Sequence, residues 1–332
     1  MTEPATPWVA HLDFEAAGGD HRHQPGPNPD WTETTWWSWN VPERGLAGWL
    51  YGQVKPNLGI CQGGAFVYGP GAFAAWDQPF YNWTFYDSLP EVWDFDDVTF
   101  KNGVTVELLE SGMRYKLGYQ FRDQRDLLCD FEFAGLTSPV PHLAGKPPFT
   151  GSSHYDQHGR VTGTMVLRGE QIMVDCAAVR DRSWGRRPEL MGRRGKLSYA
   201  FGTTADGEAF LVFCVPTDGD PLSSIETLTS GYLLRDGVLR YLDHAERRTT
   251  RDRATGCVQS IEISGADTEG RRLDVMGTTR SAMALPTFHV TINALIEWQM
   301  GDEIGWGEDQ DVWPNLSIAD LRQPGPPAGG WR

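Results

Sequence analysis

Residues 179–187 read VRDRSWGRR, with Asp181 among four arginines and one tryptophan directly after the apolar run GEQIMVDCAA. A carboxyl in that setting has two uses. Paired with Arg180 or Arg182, it pins a strand to its neighbour through a charge-assisted hydrogen bond. Buried beside the indole of Trp184, it becomes an acid of raised pKa, able to give or take a proton. A second candidate is HYDQH, where His154, Asp156 and His158 stand at alternate positions and on a strand would share one face. Such a face can ligate a metal, or shuttle protons through a histidine of ordinary pKa about 6.5. Gly159 and the hairpin after it place only the start of a strand here, which argues against the metal; no metal and no organic cofactor is expected.

Strand alternation sorts these side chains. If Val174, Cys176 and Ala178 face one side, Asp175, Ala177, Val179 and Asp181 face the other. Should Arg180 and Arg182 pair with Asp181, they lower its pKa, and proton transfer falls to His154, Asp156 or a tyrosine such as Tyr155. His21 and His23, in HRH, lie in a polar, glycine-rich arm and read as solvated. Glu308, Asp309 and Asp311, in GWGEDQDVW, read as an exposed acidic cluster near the C-terminus.

The 14 tryptophans, four of them in WTETTWWSWN, are far more than a chain of this size usually holds. Tryptophan needs both its face and its N–H used, so a Trp-rich barrel core and an aromatic-lined cavity are the two readings. In the second, Trp36, Trp37, Trp39, Tyr68 and Tyr155 are walls, with Trp184 and Arg182 beside the substrate.

The elements that must position these residues are strands. GLAGWLYGQV, NLGICQGGAFVYG, DDVTF, GVTVELLES and MRYKLGYQF are short, β-branched or aromatic runs between Gly, Asn, Asp and Pro. Three further hairpins turn at Arg168-Gly169, Asp206-Gly207 and Asp236-Gly237. Sustained helical periodicity is absent, so helices should be few. The segment 137–153 carries four prolines and separates two strand-rich halves. The expected organisation is an arm over 1–30, a β domain over 31–140, a Pro-rich linker over 141–153 and a second β domain over 154–332. Each β domain is expected to be a closed or nearly closed antiparallel barrel.

Composition narrows the partners. A net charge of −15 opposes binding to nucleic acid and to anionic membranes. With 40% hydrophobic and 22% charged residues, the chain reads as a globular protein with a full core. Five widely spaced cysteines without CxxC suit buried thiols in a reducing cytoplasm. No signal peptide or membrane-spanning run is evident, so a cytoplasmic protein is expected, with a small apolar or aromatic substrate as its partner and a homodimer left open. Dinucleotide, P-loop, zincin and serine-hydrolase motifs are missing.

The string Asp181-Arg182-Ser183-Trp184-Gly185, closing a strand after a Gly-containing hairpin, resembles the D-[H/R]-x-W-G signature of the carotenoid 1,2-hydratase (hydroxyneurosporene synthase) and AttH-like superfamily. HYDQHGRVTGTMVLRGEQIMVDCAAVRDRSWGRR and WSWNVPERGLAGWLYGQVKPN look like a bacterial branch of it. That resemblance implies two consecutive lipocalin-like β-barrels and cofactor-independent chemistry at carbon–carbon double bonds of hydrophobic polyenes, terpenoids or polycyclic aromatics. The expected activity is that of a lyase or hydratase working by acid–base catalysis in an aromatic barrel cavity. Asp181 is its acid, and His154 its second acid/base. A lyase or isomerase/cyclase of a phenolic substrate and a non-catalytic lipocalin-like carrier are the alternatives.

Overall fold

The computed structural model describes residues 14, 19–122, 125–142, 148–188, 195–287 and 289–322. The strand-forming runs become one open sheet and one closed barrel. In the sheet are β1 (Trp31–Val41), β2 (Leu46–Lys55), β3 (Ile60–Tyr68), β4 (Phe80–Ser88), β5 (Asp97–Thr99), β6 (Val104–Glu110), β7 (Arg114–Tyr119), β8 (Leu127–Gly135), β9 (Val140–His142), β10 (Ser152–Leu167) and β11 (Glu170–Arg186). They run in the order β4-β3-β2-β1-β11-β10-β8-β7-β6-β5, with β9 beside β10. The sheet curls into a half-barrel whose edge strands β4 and β5 do not meet.

The barrel is formed by β12 (Leu197–Thr204), β13 (Ala209–Pro216), β14 (Ile225–Arg235), β15 (Val238–Arg251), β16 (Val258–Asp267), β17 (Arg272–Pro286), β18 (Val290–Met300) and β19 (Glu303–Trp313). Each strand pairs with the next and β19 pairs back with β12, which leaves no open edge. One short helix, α1 (Asn315–Arg322), follows. No helix among the described residues is long and apolar enough to cross a membrane. The architecture is therefore all-β, and the five cysteines are buried free thiols.

The three expected hairpins form. Arg168-Gly169 has φ of 51° and 87°, and Asp236-Gly237 has 52° and 69°. Each pair is a two-residue connection with both positions left-handed, matching the twist of its strands. The division of the chain differs from expectation. β10 hydrogen-bonds to β8 and β11 to β1, so both belong to the first unit, and the change of sheet lies between Arg186 and Leu197. Segment 141–153 is not a linker between units: its ends are β9 and the start of β10. Pro141 is tolerated because β9 is paired on one side only, and the other side needs no donor.

Alternation along β1 splits the tryptophans. Trp37 and Trp39 point into the half-barrel, against Phe131, Phe133 and Tyr115. Trp36 points outward, against Trp49, Tyr199 and Phe201. A separate apolar layer lies between the outer faces of the two units, joining Trp36, Trp49 and Phe66 of the sheet to Tyr199, Leu211 and Phe213 of the barrel.

The acidic residues expected at the surface are buried: Glu308, Asp309 and Asp311 are each at most 1% exposed. Asp309 and Asp311 point into the barrel, where they meet Lys196, Arg247, Arg251 and Glu226. Arg247 binds Glu226 at 2.6 Å and Asp309 at 2.7 Å; Lys196 reaches Asp311 at 2.9 Å. Arg251 pairs with Asp311, and Lys196 with Glu226. Three cations and three carboxylates balance, so the lumen is closed by a neutral network. Breaking such a network on one side leaves uncompensated buried charge. Arg247→Met is predicted to lower stability by about 3–5 kcal/mol, read from the urea midpoint. An unchanged midpoint would mean the network contributes nothing to folding.

Candidate functional site

The site is built on cross-strand rows of the sheet that face the barrel. In one row Val140, Asp156, Asp181, Trp36 and Tyr51 stand opposite one another on β9, β10, β11, β1 and β2. In the next, two residues along, are His142, His154, Ser183, Thr34 and Gln53. The two-residue period thus gathers the D-x-S of β11 and the H-x-D of β10 on one surface.

Asp156 is the hub. Its Oδ1 accepts from His154 Nε2 at 2.9 Å and from Tyr199 OH at 2.7 Å, and its Oδ2 lies 3.1 Å from His142 Nε2. His154 Nδ1 lies 2.7 Å from Ser183 Oγ, and its ring stacks on Phe149 with centroids 4.3 Å apart. Burial alone would raise the Asp156 carboxyl, but His154 and His142 hold it well below the usual carboxylate range. Burial works against the charged form of His154, yet the Asp156 carboxylate lifts it above an ordinary histidine. Burial instead pulls His142 down, leaving it the neutral partner. The arrangement is a buried histidine–carboxylate pair that favours the charged forms of both His154 and Asp156, with a tyrosine donating into it and His142 close beside it.

Asp181 is different. Its Cα lies opposite that of Asp156 on the neighbouring strand, and two ionised carboxylates so placed repel. Burial pushes the Asp181 carboxyl up to about 7; Asp156 adds to the rise, while His154, Arg187 and Arg180 oppose it. Among the described residues nothing hydrogen-bonds its carboxyl, which lines a cavity of about 490 Å³ between the sheet and the barrel. Trp36, Trp49, Trp83, Phe149, Tyr199 and Phe213 give that cavity aromatic walls.

Several expected site residues are elsewhere. Arg180 and Arg182 do not pair with Asp181, because alternation sends them to the opposite face, into the half-barrel. Arg180 lies over the Tyr115 ring at 4.1 Å and reaches Asp20 at 3.3 Å; Arg182 binds Glu33 at 3.0 Å and covers Phe95. Trp184 and Tyr155 share that face. Trp184 stacks on His23, which pairs with Glu33 and so is not merely solvated. Asp20, from the N-terminal arm, is buried against Tyr115 rather than draped outside. None of Tyr155, Arg182 or Trp184 lines the cavity. Trp37 and Trp39 are half-barrel core, and Tyr68 is interface core beside Glu308. Of the expected walls, Trp36 alone lines the cavity. The cavity itself lies between the units, not in a barrel lumen.

His158 shares the face of His154 and Asp156 but binds Thr203 at 2.8 Å, and burial lowers it to about 4. Potential ligand atoms come together within 4.8 Å in two places among the described residues: His154, Asp156 and Asp181 at the cavity, and His21, Asp94 and Asp96 nearer the surface, so His21 is not merely solvated. At the cavity the atoms are partly committed. Two of the three already hydrogen-bond one another, which fits proton handling better than metal binding. Sequence reasoning missed His142 and Phe149, both from the supposed linker, and Tyr199 and Phe213, both from the barrel. It also missed Glu308, which burial pushes up to about 8 while Trp49 Nε1 donates to it at 2.8 Å.

The electrostatics give a sign for stability. The folded chain holds the Asp181 proton more tightly than the unfolded chain, from 3.8 to about 7. That contribution is present below about pH 4 and is lost as pH rises through about 7. Asp181→Asn removes the loss, so its melting temperature is predicted to exceed the parent's by about 2–4 °C at about pH 8 and to match it near pH 4. A uniform offset at both pH values would contradict the raised pKa.

A search of the curated proteins finds no match. Among solved structures the fold is shared with a candidate AttH from Nitrosomonas europaea, at 14% identity and a TM-score of 0.52 over 90% of this chain and 99% of that one. It is shared with kievitone hydratase from Nectria haematococca, at 13% identity and a TM-score of 0.51 over 87% and 90% of the two chains. CghA in complex with Sch210972 aligns at 11% identity and a TM-score of 0.50 over 86% and 89%. An AttH-like fold is what the resemblance carried by the D-R-S-W-G string implies, and at these identities the likeness is one of fold. A family model matches residues 16–309, and the chain belongs to that family, described as a domain of unknown function (DUF7064).

Proposed function

We propose that the protein is a cofactor-independent hydratase or hydro-lyase acting on an apolar, unsaturated small molecule, with Asp181 as its acid and base. The observation that carries this reading is a carboxyl poised near pH 7, without a hydrogen-bond partner among the described residues, in an aromatic cavity. A carrier needs no ionisable group there, and burying one has a cost.

Hydration runs as follows in this geometry. Asp181 gives its proton to one alkene carbon, leaving a carbocation on the other and a carboxylate on Asp181. The His154 imidazolium beside it stabilises that carboxylate, which keeps the acid strong enough to react. The faces of Trp36, Tyr199 and Phe149 stabilise the cation, each by about 0.5–2 kcal/mol. Water attacks the cation, its oxygen bonds to carbon, and the surplus proton returns to Asp181. The sum is one water added across one double bond, and elimination is the same path reversed. Asp156, His142 and Ser183 hold His154 in place. That kievitone hydratase is a hydratase by name, on the same fold, supports this choice over the alternatives.

The test uses bacterial and plant small-molecule extracts in ¹⁸O-labelled water. A product heavier by labelled water is expected, with Asp181→Asn slower by at least about 100-fold while still binding ligand. A product without label would replace hydration by isomerisation or cyclisation, including of a phenolic substrate. Ligand retained unchanged by both proteins would make this a carrier. Turnover is expected to fall as pH rises through about 7, the Asp181 value. His154→Gln should move that limb to higher pH, since the imidazolium no longer lowers Asp181; an unmoved limb would assign the acid to another group.

A further inference from the structure

Among the described residues, the carboxyl, guanidinium and imidazole groups lining the cavity are Asp181, Arg187, His154 and His289. Arg187 stands out among them. Its backbone N–H is tied to Asp30 O at 3.0 Å, which fixes the residue at the cavity rim. Its half-buried guanidinium has no hydrogen bond or ion pair among the described residues, yet lies close enough to bear on both Asp181 and His154. Four other buried or part-buried arginines of this acidic chain, Arg180, Arg182, Arg247 and Arg251, each pair with a carboxylate. Among the described residues the single carboxyl lining the cavity is Asp181, and no ion pair joins it to Arg187. A guanidinium lining a cavity with several aromatic walls offers planar, two-pronged hydrogen bonding to a planar anion.

We propose that the substrate is an apolar unsaturated carboxylic acid whose carboxylate is held by Arg187, which lays its hydrocarbon along the aromatic walls past Asp181. A phosphate monoester fits less well, since its dianion would meet one guanidinium among the described lining residues and would share the cavity with the Asp181 carboxyl. The carboxylate also neutralises Arg187, so binding removes one influence that drains the proton from Asp181. The inference rests on the cavity being the substrate site of the hydratase reading, and deepens it.

Binding rather than turnover tests it. Two probe pairs, cis-parinaric acid with its methyl ester and 9-anthroic acid with its methyl ester, are titrated into the purified protein. Energy transfer from tryptophan, including Trp36, Trp49 and Trp83 on the cavity wall, is followed. For at least one pair the acid is expected to bind about tenfold or more tighter than its ester. Arg187→Gln should bring the acid down to the affinity of the ester and leave the ester unchanged, and Arg187→Lys should recover part of the difference. Acids that bind no tighter than esters, or an Arg187→Gln variant that weakens both equally, would overturn the proposal. Acid-selective binding without ¹⁸O incorporation into any substrate would keep this inference and defeat the hydratase reading. Labelled product from neutral alkenes, without preference for acids, would do the reverse.

Discussion

The two-residue period of β11 is the constraint on which the site depends. Arg180 and Arg182 leave the strand on one face, and Asp181 and Ser183 on the other. The same backbone separates a carboxyl from its nearest cations in sequence and gives each group a different environment. The arginines enter the half-barrel, where Asp20 and Glu33 neutralise them and aromatic rings cover them. The carboxyl faces the barrel, half-buried in the cavity wall, and gains no hydrogen-bond partner among the described residues. A slip of one residue in register would exchange the two sets and abolish both the half-barrel ion pairs and the acid.

Buried charge is handled in two ways in this molecule. In the barrel lumen and the half-barrel, cations and carboxylates are matched closely, although burial still pulls the Lys196 ammonium down to about 7. At the cavity, Asp156 is held ionised by His154 and Tyr199 at one oxygen and by the nearby His142, while its neighbour Asp181 responds by holding its proton. The two carboxyls face each other across β10 and β11, and the ionised one helps keep the other neutral. Pairs of titratable groups pushed apart by their surroundings are where acid and base roles arise. The Trp-rich composition serves the same end, since Trp36 and Trp49 exclude water from the outer face of the sheet while Trp37 and Trp39 fill its inner face.

Much of the fold was legible because local signals carried it. The left-handed Gly turns at 169 and 237 and the alternation of Val174, Cys176 and Ala178 depend on neighbours in sequence, and they appear as read. Asp181, His154 and Asp156 were legible as candidates for the same reason, although their roles depended on which face Arg180 took. What local pattern could not carry is partnership across sheets. Tyr199 and Phe213 join Asp181 at the cavity through packing of one unit on another. The prolines of 141–153 looked like a linker because composition cannot distinguish a one-sided edge strand from a connection. Asp309 and Asp311 looked exposed because charge usually is; closure of the barrel around Lys196, Arg247 and Arg251 reverses that reading.

The account stands or falls on the protonation state of one side chain. Titrating the Asp181 carboxyl by ¹³C NMR, with Asp181→Asn to assign its resonance, measures it directly. The account predicts a midpoint near 7, well above an unperturbed aspartate. A midpoint at or below about 4 would make Asp181 an ordinary carboxylate and contradict its role as the acid.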